Sequence, residues 1–412
     1  MPRHRALRLT IRLTSLALLP LLGLACGSDD DAGDTDTTAS SAAGATTDAP
    51  ATSSAGTVAP DTSSGTSSGV AAAVVAGEAF PAERCEANRA AGTITYLSSF
   101  DFAASASIVE VLVAEKKGYF DELCLDVELQ PSFSTANYPQ IAANNAQFSS
   151  GGSFSEIVDF SSKNDAQFVA VAVEGKTGID ALIVKDGEAT QLTDLEGATI
   201  GVKGAITQGV AAMLQKAGLV EGTDYTTVLL DGFDPKVHIE IPAIVGFPGY
   251  KSNEPLQLEA AGIPFTVFDP AEFDIPGSFG ILYSNAEFLA EHPTAAQDFV
   301  RAAMRGLADA VDDPTAASTI ALEYINANGN AMFLSPEGEQ ARWGVESGLV
   351  TETNTSTALG VPELELLQAE VDTYAGIGLF GGTAPDIDPY VDTDLIAGVY
   401  DDERQVIWPA ES

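Results

Sequence analysis

Basic residues are scarce in this chain of 412 residues. It contains 19 lysines and arginines against 59 aspartates and glutamates, which gives a formal net charge of −40. A protein that binds nucleic acid neutralises phosphates with a basic face, so this composition argues against a nucleic-acid partner. The negative field also weakly disfavours an anionic substrate, although a local cationic pocket could override it.

Residues that carry out acid–base or metal chemistry are few as well. The histidines are His4, His238 and His292, and the sequence has no His-Glu-x-x-His or phosphate-binding P-loop motif. Its one Gly-x-Ser-x-Gly match, residues 65–69, lies in a Ser- and Thr-rich segment and not between a predicted strand and a predicted helix, as the nucleophile motif requires. No histidine is near Cys85 or Cys124 in the sequence, so we expect no metal site, and we expect no cofactor. General acid–base catalysis would have few candidate residues, which favours a binding protein over an enzyme.

The N-terminus has the pattern of a targeting segment. Four arginines in the first 12 residues precede an apolar run, Leu13 to Leu24, that is too short to span a bilayer. The run ends in Leu-Gly-Leu-Ala-Cys, a junction that resembles a bacterial lipobox. The resemblance implies that residues 1–25 are a signal peptide and that Cys26 is acylated, for example with palmitate. An ordinary secretory signal or an uncleaved anchor is the alternative.

The segment that follows is dominated by Ser, Thr, Ala, Gly, Asp and Pro and has no lysine or arginine up to Ala79. Such a composition cannot bury enough apolar surface to offset the entropy of ordering. We therefore expect residues 26–79, with the lipidated cysteine at their start, to form a disordered tether that anchors the folded domain outside the cytoplasm.

Two cysteines remain in the part expected to fold, Cys85 and Cys124. An even pair in an exported protein suggests a disulfide, which would connect the start of the domain to its second strand. A bridge of this kind typically stabilises a protein by about 2–4 kcal/mol. Two buried thiols are the alternative.

The stretch from Thr93 to Leu129 predicts a βαβ unit. It opens with a β-branched and aromatic strand, Thr93 to Leu97, and continues with a helix that has a broad apolar face. Ser105 or Ser107 is the expected N-cap of that helix. In open α/β sheets ligands bind at the carboxyl ends of strands, so the loop after the first strand is a candidate ligand site.

Within this unit, "VAEKKGYFDELCLDVEL" (residues 113–129) resembles a segment of the substrate-binding proteins of ABC importers. The thiamine-pyrimidine-precursor type, whose relatives bind aliphatic sulfonates, taurine or nitrate, has the pattern A-x-x-x-G-Y/F-F … G-L-D-V-x-L here. Ala114 and Gly118-Tyr119-Phe120 match it, and Cys124 stands where glycine is usual.

The resemblance implies an α/β fold of the two-lobed periplasmic-binding-protein type (type II). Each lobe would be a mixed sheet flanked by helices, with the ligand cleft between the lobes. Lobe one is expected to comprise residues 80–184 and 276–412, and lobe two residues 185–275. Two crossovers near Val184 and Ile275 would act as the hinge on which the lobes close.

Two loops of lobe one are expected to contact the ligand. The pyrimidine branch has Asp-Trp in the first loop, where this chain has Asp101-Phe102. Phe102 could still stack on a ring. Because the tryptophan is replaced, the ligand could also be another flat heterocycle, such as a flavin. The segment 147–154 matches the family's A-Q-F-x-x-G, in which glycines and serines approach a ligand closely, although a plain turn is the alternative. The lobe-one candidates are Asp101, Phe102, Ser150, Gly151, Ser153, Phe154 and Tyr283.

In lobe two, the sequence from Gly249 to Pro255 resembles the pyrimidine-binding pattern G-Y-x-x-x-E. The resemblance implies that Tyr250 stacks on the ring, that Asn253 lies beside it, and that the Glu254 carboxylate accepts from an amine or ring N–H. The alternative, of equal weight, is that these residues only start a helix, with Glu254 a solvated first-turn acid. The loop that begins at Lys203 precedes another predicted helix, whose N-terminus could hold an anion.

The function implied is that of an extracytoplasmic solute-binding protein. It would act as a monomer, bind a small flat heterocycle and deliver it to a membrane permease that is driven by an ATPase. The alternatives are a binder of aliphatic sulfonate, taurine, nitrate or riboflavin, and a lipoprotein that senses a solute for a receptor. A more distant alternative is a pyrimidine synthase of the same fold, whose cysteine-rich iron-binding motif this chain lacks.

Overall fold

Two five-stranded mixed sheets form the framework of residues 71–328 and 335–410, which the computed structural model describes. The strands of the first sheet are β1 (Thr93–Leu97), β2 (Asp126–Gln130), β3 (Phe148–Gly151), β4 (Phe168–Gly175) and β10 (Phe279–Asn285). Those of the second sheet are β5 (Asp180–Lys185), β6 (Thr199–Val202), β7 (Thr226–Leu229), β8 (Gly246–Tyr250) and β9 (Phe265–Phe268).

Helices cover the sheets and make up most of the C-terminal third of the chain. They are α1 (Ala82–Ala90), α2 (Val109–Lys117), α3 (Tyr119–Glu122), α4 (Ser134–Ala142), α5 (Phe154–Asn164), α6 (Gln208–Lys216), α7 (Pro235–Ile239), α8 (Glu254–Ala260), α9 (Ala286–Glu291), α10 (Pro293–Asp312), α11 (Pro314–Asn328), α12 (Pro336–Thr353), α13 (Leu364–Gly376) and α14 (Thr393–Ala397). None of the described helices combines the length and the apolarity that crossing a bilayer requires.

The two sheets have the same topology. The first has the strand order β2-β1-β3-β10-β4, in which β10 is antiparallel to both of its neighbours; the second has the order β7-β6-β8-β5-β9, in which β5 is the antiparallel strand. Each sheet is thus the core of one lobe. The predicted two-lobed α/β fold with a mixed sheet in each lobe is confirmed.

The chain passes between the lobes at residues 176–179 and 269–278. The predicted boundary at residue 184 falls inside β5, which pairs with β8 and β9 of lobe two, so the first crossover lies several residues earlier. A short apolar strand has the same sequence pattern in either lobe, so only its pairing with other strands shows to which lobe it belongs. The crossovers touch, because a Cβ added to Gly277 would lie 2.8 Å from the backbone of Gly178.

The folded unit includes residues that the sequence analysis assigned to the tether. Val74 is buried, and the Arg84 guanidinium donates to the carbonyl oxygens of Ala71 and Ala72. The same guanidinium forms a buried ion pair with Asp298 of α10, with 2.8 Å between Nη2 and Oδ1. Residues 71–79 therefore pack on lobe one. The signal peptide, Cys26 and the rest of the predicted tether lie outside the described residues.

Backbone hydrogen bonds also bring the two ends of the described chain together on lobe one. The Gly77 N–H donates to the Trp408 carbonyl oxygen at 3.0 Å, and the Ala410 N–H donates to the Glu78 carbonyl oxygen at 2.7 Å. The N-terminal segment and the C-terminal segment are thus neighbours.

The predicted disulfide between Cys85 and Cys124 is present, with a Cα–Cα distance of 5.2 Å. It connects α1 to the turn before β2. Cys124 has a φ of 59°, in the left-handed region that favours glycine. This backbone conformation explains why glycine is usual at this position in the pattern that the sequence resembles.

Helix α10 fills the core of lobe one. The ring of Phe299 stacks on Phe120 and Phe148, with centroid distances of 5.1 and 4.0 Å. The C-terminal helices, which the sequence analysis placed in lobe one, reach both lobes. Helix α12 packs on α11 and β4 and also touches α8 of lobe two, and α13 packs on α5 and on α6.

Candidate functional site

Glu346 of α12 connects the two lobes. Its Oε2 atom accepts hydrogen bonds from the Ala106 N–H and the Ser105 hydroxyl, and its Oε1 atom accepts from the Ser252 hydroxyl, all at 2.7 Å. Ser105 and Ala106 follow β1 in lobe one, whereas Ser252 follows β8 in lobe two. The carboxyl ends of these strands therefore face each other across a cleft, where the α/β fold places a ligand.

These contacts also correct the predicted start of α2. The N-cap residue is Ile108, whose apolar side chain makes no capping hydrogen bond, so the prediction of Ser105 or Ser107 as the N-cap is wrong. The hydroxyl of Ser105 donates to Glu346 instead. The acceptor comes from a residue 241 positions away in the sequence, so no local pattern could have predicted it.

A second residue of α12, Arg342, also reaches across the cleft. Its Nη2 atom donates to Asn253 Oδ1 at 3.0 Å, and its guanidinium carbon lies 5.7 Å from the ring centroid of Phe100. Its Nε atom lies 3.3 Å from Glu339 Oε1, and Glu339 Oε2 accepts from the Ala104 N–H at 2.7 Å. One face of α12 thus holds the first loop of lobe one and the β8–α8 loop of lobe two.

The sequence analysis missed this face. The sequence feature that could have revealed it is the spacing of Glu339, Arg342 and Glu346. These residues are three and four positions apart, which places their charged side chains on one side of a helix. All three are nevertheless buried. A charged stripe of this kind usually faces solvent, and only the tertiary contacts show that it lines a cleft.

The three predicted residues of lobe two lie together on the β8–α8 loop. Glu254 Oε2 accepts from the Tyr250 N–H at 2.8 Å, and Glu254 Oε1 lies 3.1 Å from Lys203 Nζ. Glu254 is the first residue of α8, as the helix-start interpretation predicts, but it is only 4 % exposed and is therefore not a solvated acid. Asn253 is held by Arg342.

Tyr250 is 44 % exposed as a residue, and its hydroxyl is the part that lies inward, near four acids. Burial within the cleft raises the pKa of its hydroxyl, and the negative charges of Glu156, Asp180, Glu254 and Glu346 raise it further. These acids come from α5, the start of β5, the start of α8 and α12. Tyr250 is therefore a neutral phenol in a cleft whose walls are carboxylates.

Glu156 and Tyr138 belong to the same part of the cleft. Burial raises the pKa of Glu156 to about 7, and nearby Asp180 and Glu370 contribute in the same direction. Burial also raises the pKa of Tyr138, with contributions from Glu156 and Tyr250. A carboxyl group that titrates near neutral pH thus lies close to two phenol rings, one in each lobe.

The aromatic residues predicted in lobe one are core residues. Phe102 is 1 % exposed and packs edge-on against Tyr324, with 5.7 Å between the ring centroids, so its ring has no free face for a ligand. Phe154 and Tyr283 are completely buried in a second cluster of the same lobe. Asp101 adopts a positive φ of 48° and accepts from the Phe102 N–H at 2.7 Å.

The polar residues predicted in lobe one shape the loops of the cleft. The Ser150 hydroxyl accepts from the Ser99 N–H at 2.5 Å and so connects the end of β3 to the loop after β1. Gly151 ends β3, and a Cβ there would lie 3.0 Å from the Ile157 side chain. Ser153 is the N-cap of α5 and accepts from the Glu156 N–H.

Two further phenylalanines, which the sequence analysis did not select, lie at these loops. The ring of Phe100 packs edge-on against Phe133 with 5.9 Å between the ring centroids, and Phe133 is 49 % exposed. Because Arg342 lies over Phe100, this pair is close to the cross-lobe contacts. It provides an aromatic surface on the lobe-one side, which Phe102 does not.

A family model described as "NMT1/THI5 like" matches residues 105–317, which is more than half of the chain. The chain belongs to this family. The matched part of the NMT1/THI5-like sequence runs from the loop after β1 into α11 and includes Tyr250, Asn253 and Glu254. It ends before α12, so Glu339, Arg342 and Glu346 lie outside it.

One curated relative is the riboflavin-binding protein RibY of Chloroflexus aurantiacus, which is 32% identical over 136 residues. That match spans 32% of this chain and 38% of the relative, so it covers well under two thirds of the relative's length.

Solved structures of low identity share the fold. The periplasmic aliphatic sulphonate binding protein SsuA from Escherichia coli aligns with a TM-score of 0.55 at 10% identity, over 73% of this chain and 92% of SsuA. The periplasmic nitrate-binding protein NrtA from Synechocystis PCC 6803 aligns with a TM-score of 0.53 at 13% identity, over 74% and 86% of the two chains. The NMT1/THI5-like chain thus has the fold of the solute-binding components of ABC importers.

Proposed function

We propose that this protein is the solute-binding component of an ABC importer and that it binds a small, flat, neutral or cationic heterocycle in its cleft. One observation carries the proposal: Tyr250, a half-exposed residue at the end of β8, has its hydroxyl within the electrostatic reach of the carboxyl groups of Glu156, Asp180, Glu254 and Glu346. A phenol ring can stack on a flat ligand, and carboxylates accept strong hydrogen bonds from amine and ring N–H groups.

The charge of the cleft argues against the alternative anionic ligands. Lys203 and Arg342 are cations at this site, and each is paired with an acid of the protein, Glu254 and Glu339 respectively. A sulfonate or a nitrate ion would therefore enter a site in which the carboxylates are not balanced by free cations. The similarity to a riboflavin-binding protein supports a flavin as one candidate heterocycle, and an aminopyrimidine is the other.

The remaining parts of the proposal concern location and partners. The protein would act outside the cytoplasm as a monomer that is anchored through a lipid on Cys26, and it would deliver its ligand to a permease with an associated ATPase. It would bind its ligand without converting it. A protein that senses a solute for a receptor would have the same cleft, and the adjacent genes would distinguish the two roles.

The test is a binding screen on the purified protein. Riboflavin, thiamine, a hydroxymethyl-aminopyrimidine, taurine, methanesulfonate and nitrate are compared by thermal shift, because a ligand that binds only the folded state raises the melting temperature. We expect a shift with a flavin or a pyrimidine. Calorimetry on variants then tests the ring: Tyr250→Ala should weaken binding by about tenfold, whereas Tyr250→Phe, which keeps the stacking surface, should bind almost normally.

Two outcomes would contradict the proposal. A shift with methanesulfonate, taurine or nitrate and with no heterocycle would identify an anion-binding protein. Chemical conversion of a bound pyrimidine, detected by mass spectrometry after incubation, would support the enzyme alternative.

A further inference from the structure

At the strand-to-helix loops of lobe one, backbone N–H groups donate hydrogen bonds to carboxylates of the protein itself. Before α2, the Ala104 and Ala106 N–H groups donate to Glu339 and Glu346, both at 2.7 Å. In the first turn of α5, the Ser155 N–H donates to a glutamate of α13 at 2.9 Å. This glutamate is Glu370.

Lobe two repeats the arrangement. In the first turn of α6, the Val210 N–H donates to Asp180 Oδ2 at 3.2 Å. The carboxylate comes so close that a Cβ on Gly209 would lie 2.6 Å from Asp180 Oδ1, and only glycine leaves room for it. Directly before α8, the Tyr250 N–H donates to Glu254.

The five carboxylates share two properties that surface acids do not have. They are at most 9 % exposed, and four of them reach the loop that they contact from another part of the chain. Burying a carboxylate is costly unless hydrogen bonds compensate it. Burial accordingly raises the pKa of Asp180, Glu346 and Glu370, while the hydrogen bonds at each site lower it.

The loops that these acids fill are positions at which a protein can bind an anion. The Ser155 and Val210 N–H groups are in the first turns of α5 and α6, where N–H groups have no partner in the helix and the helix dipole adds partial positive charge. The Ala104, Ala106 and Tyr250 N–H groups belong to the backbone that leads into α2 and α8. A ligand oxyanion at such a place would need the same N–H groups. In the cleft of this protein, those groups are already hydrogen-bonded to internal carboxylates.

We propose that Glu339, Glu346, Glu370, Asp180 and Glu254 are built-in anions that determine ligand specificity. They occupy the oxyanion positions of the cleft and so exclude sulfonate, nitrate and phosphate groups, which leaves the cleft to neutral or cationic ligands. The inference rests on the proposed function only in taking the cleft as the ligand site.

The test is whether removal of one internal anion creates a site for an external one. Glu346→Ala and Glu370→Ala are each titrated with acetate, nitrate and methanesulfonate, and the melting temperature is compared with that in sodium chloride of equal ionic strength. We expect saturable stabilisation of both variants, growing with the logarithm of anion concentration above the Kd. The unaltered protein should show none.

Two further variants serve as controls. Glu346→Gln keeps an oxygen acceptor at the Ala106 N–H and should gain no anion binding. Glu196→Ala removes an exposed glutamate from the turn before β6 and so changes the net charge by the same amount without freeing an N–H group at a strand-to-helix loop; the same anions should not stabilise it.

The outcomes separate this inference from the proposed function. If neither Glu346→Ala nor Glu370→Ala is stabilised by anions beyond the chloride control, or if Glu196→Ala is stabilised as much, the built-in anions are not the cause of selectivity. The same holds if the unaltered protein binds methanesulfonate saturably. Failure of every heterocycle to bind would reject the proposed ligand class and leave the result of the anion titrations unaffected. Glu370→Ala keeps the test decisive if Glu346→Ala does not fold.

Discussion

Glu156 is a residue whose ionisation should control stability near neutral pH. Burial in the first turn of α5 raises its pKa from 4.5 to about 7, and the charges of Asp180 and Glu370 oppose its ionisation further. Between these two pH values the folded state holds more protons at this site than the unfolded state does. The free energy of unfolding therefore decreases as pH rises through this window, and the contribution of Glu156 is most favourable below it.

We predict that Glu156→Gln makes the protein less sensitive to pH. The amide remains neutral at all pH values, so the loss of stability between pH 5 and pH 7.5 should be smaller in the variant by about 1–3 kcal/mol. The measurement is urea unfolding at both pH values. Glu196→Gln, which changes an exposed glutamate, is the control and should retain the pH dependence of the unaltered protein. Equal slopes for the two variants would contradict the prediction.

The first loop shows what a sequence motif can specify about single residues. The motif selects Phe102, which is buried, whereas Phe100 is the phenylalanine that contacts Arg342. Asp101, which has a positive φ, lies between the two phenylalanines, and this change of backbone direction places their rings in different surroundings. No pattern of apolar spacing predicts such a backbone reversal, because it depends on contacts made by the whole loop.

At the scale of elements, the disulfide connects α1 to the turn before β2 and closes a loop across a sequence separation of 39 residues. Because a bridge of this kind restricts the unfolded chain, we predict that the double variant Cys85→Ser/Cys124→Ser loses about 2–4 kcal/mol of unfolding free energy. Chemical denaturation measures this loss.

Reduction of the unaltered protein provides the control for the serine substitutions. The reduced protein should unfold at nearly the same denaturant concentration as the double variant. A variant that is as stable as the oxidised protein would show that the bridge contributes nothing to folding.

The positions of the helices and strands were largely predictable from the sequence, whereas the segments against which each of them packs were not. The strand Thr93–Leu97 agrees with the sequence analysis, because β-branched composition is a local signal. The start of α10 at Pro293 has a local signal as well, since proline is favoured in the first turn of a helix. The assignment of β5 to lobe two and the cross-lobe face of α12 depend on pairing and packing between distant segments. Those are the features that create the cleft.

At the scale of the whole molecule, α12 should control the opening of the cleft. Glu346 holds lobe two through Ser252 and lobe one through Ser105, so these serines offer matched variants on the two sides of one carboxylate. We predict that Ser252→Ala favours the open form, since a hydrogen bond to a charged group contributes about 1.5–3 kcal/mol. Small-angle X-ray scattering of the ligand-free protein should show a larger radius of gyration.

Ser105→Ala removes an equivalent hydrogen bond but leaves the contact with lobe two intact, so its radius of gyration should not change. Ligand affinity should decrease in Ser252→Ala, because a smaller fraction of the protein is in the closed form. If both variants expand equally, or if neither does, Glu346 does not hold the lobes together.

The hydrogen bonds between residues 77–78 and 408–410 hold the first and the last described segments side by side on lobe one. Because both segments lie on lobe one, closure of the cleft does not alter the distance between them. A fluorophore attached at residue 410 would therefore report the surroundings of residues 77 and 78. It would give no signal for ligand binding, which a pair of dyes with one on each lobe would detect.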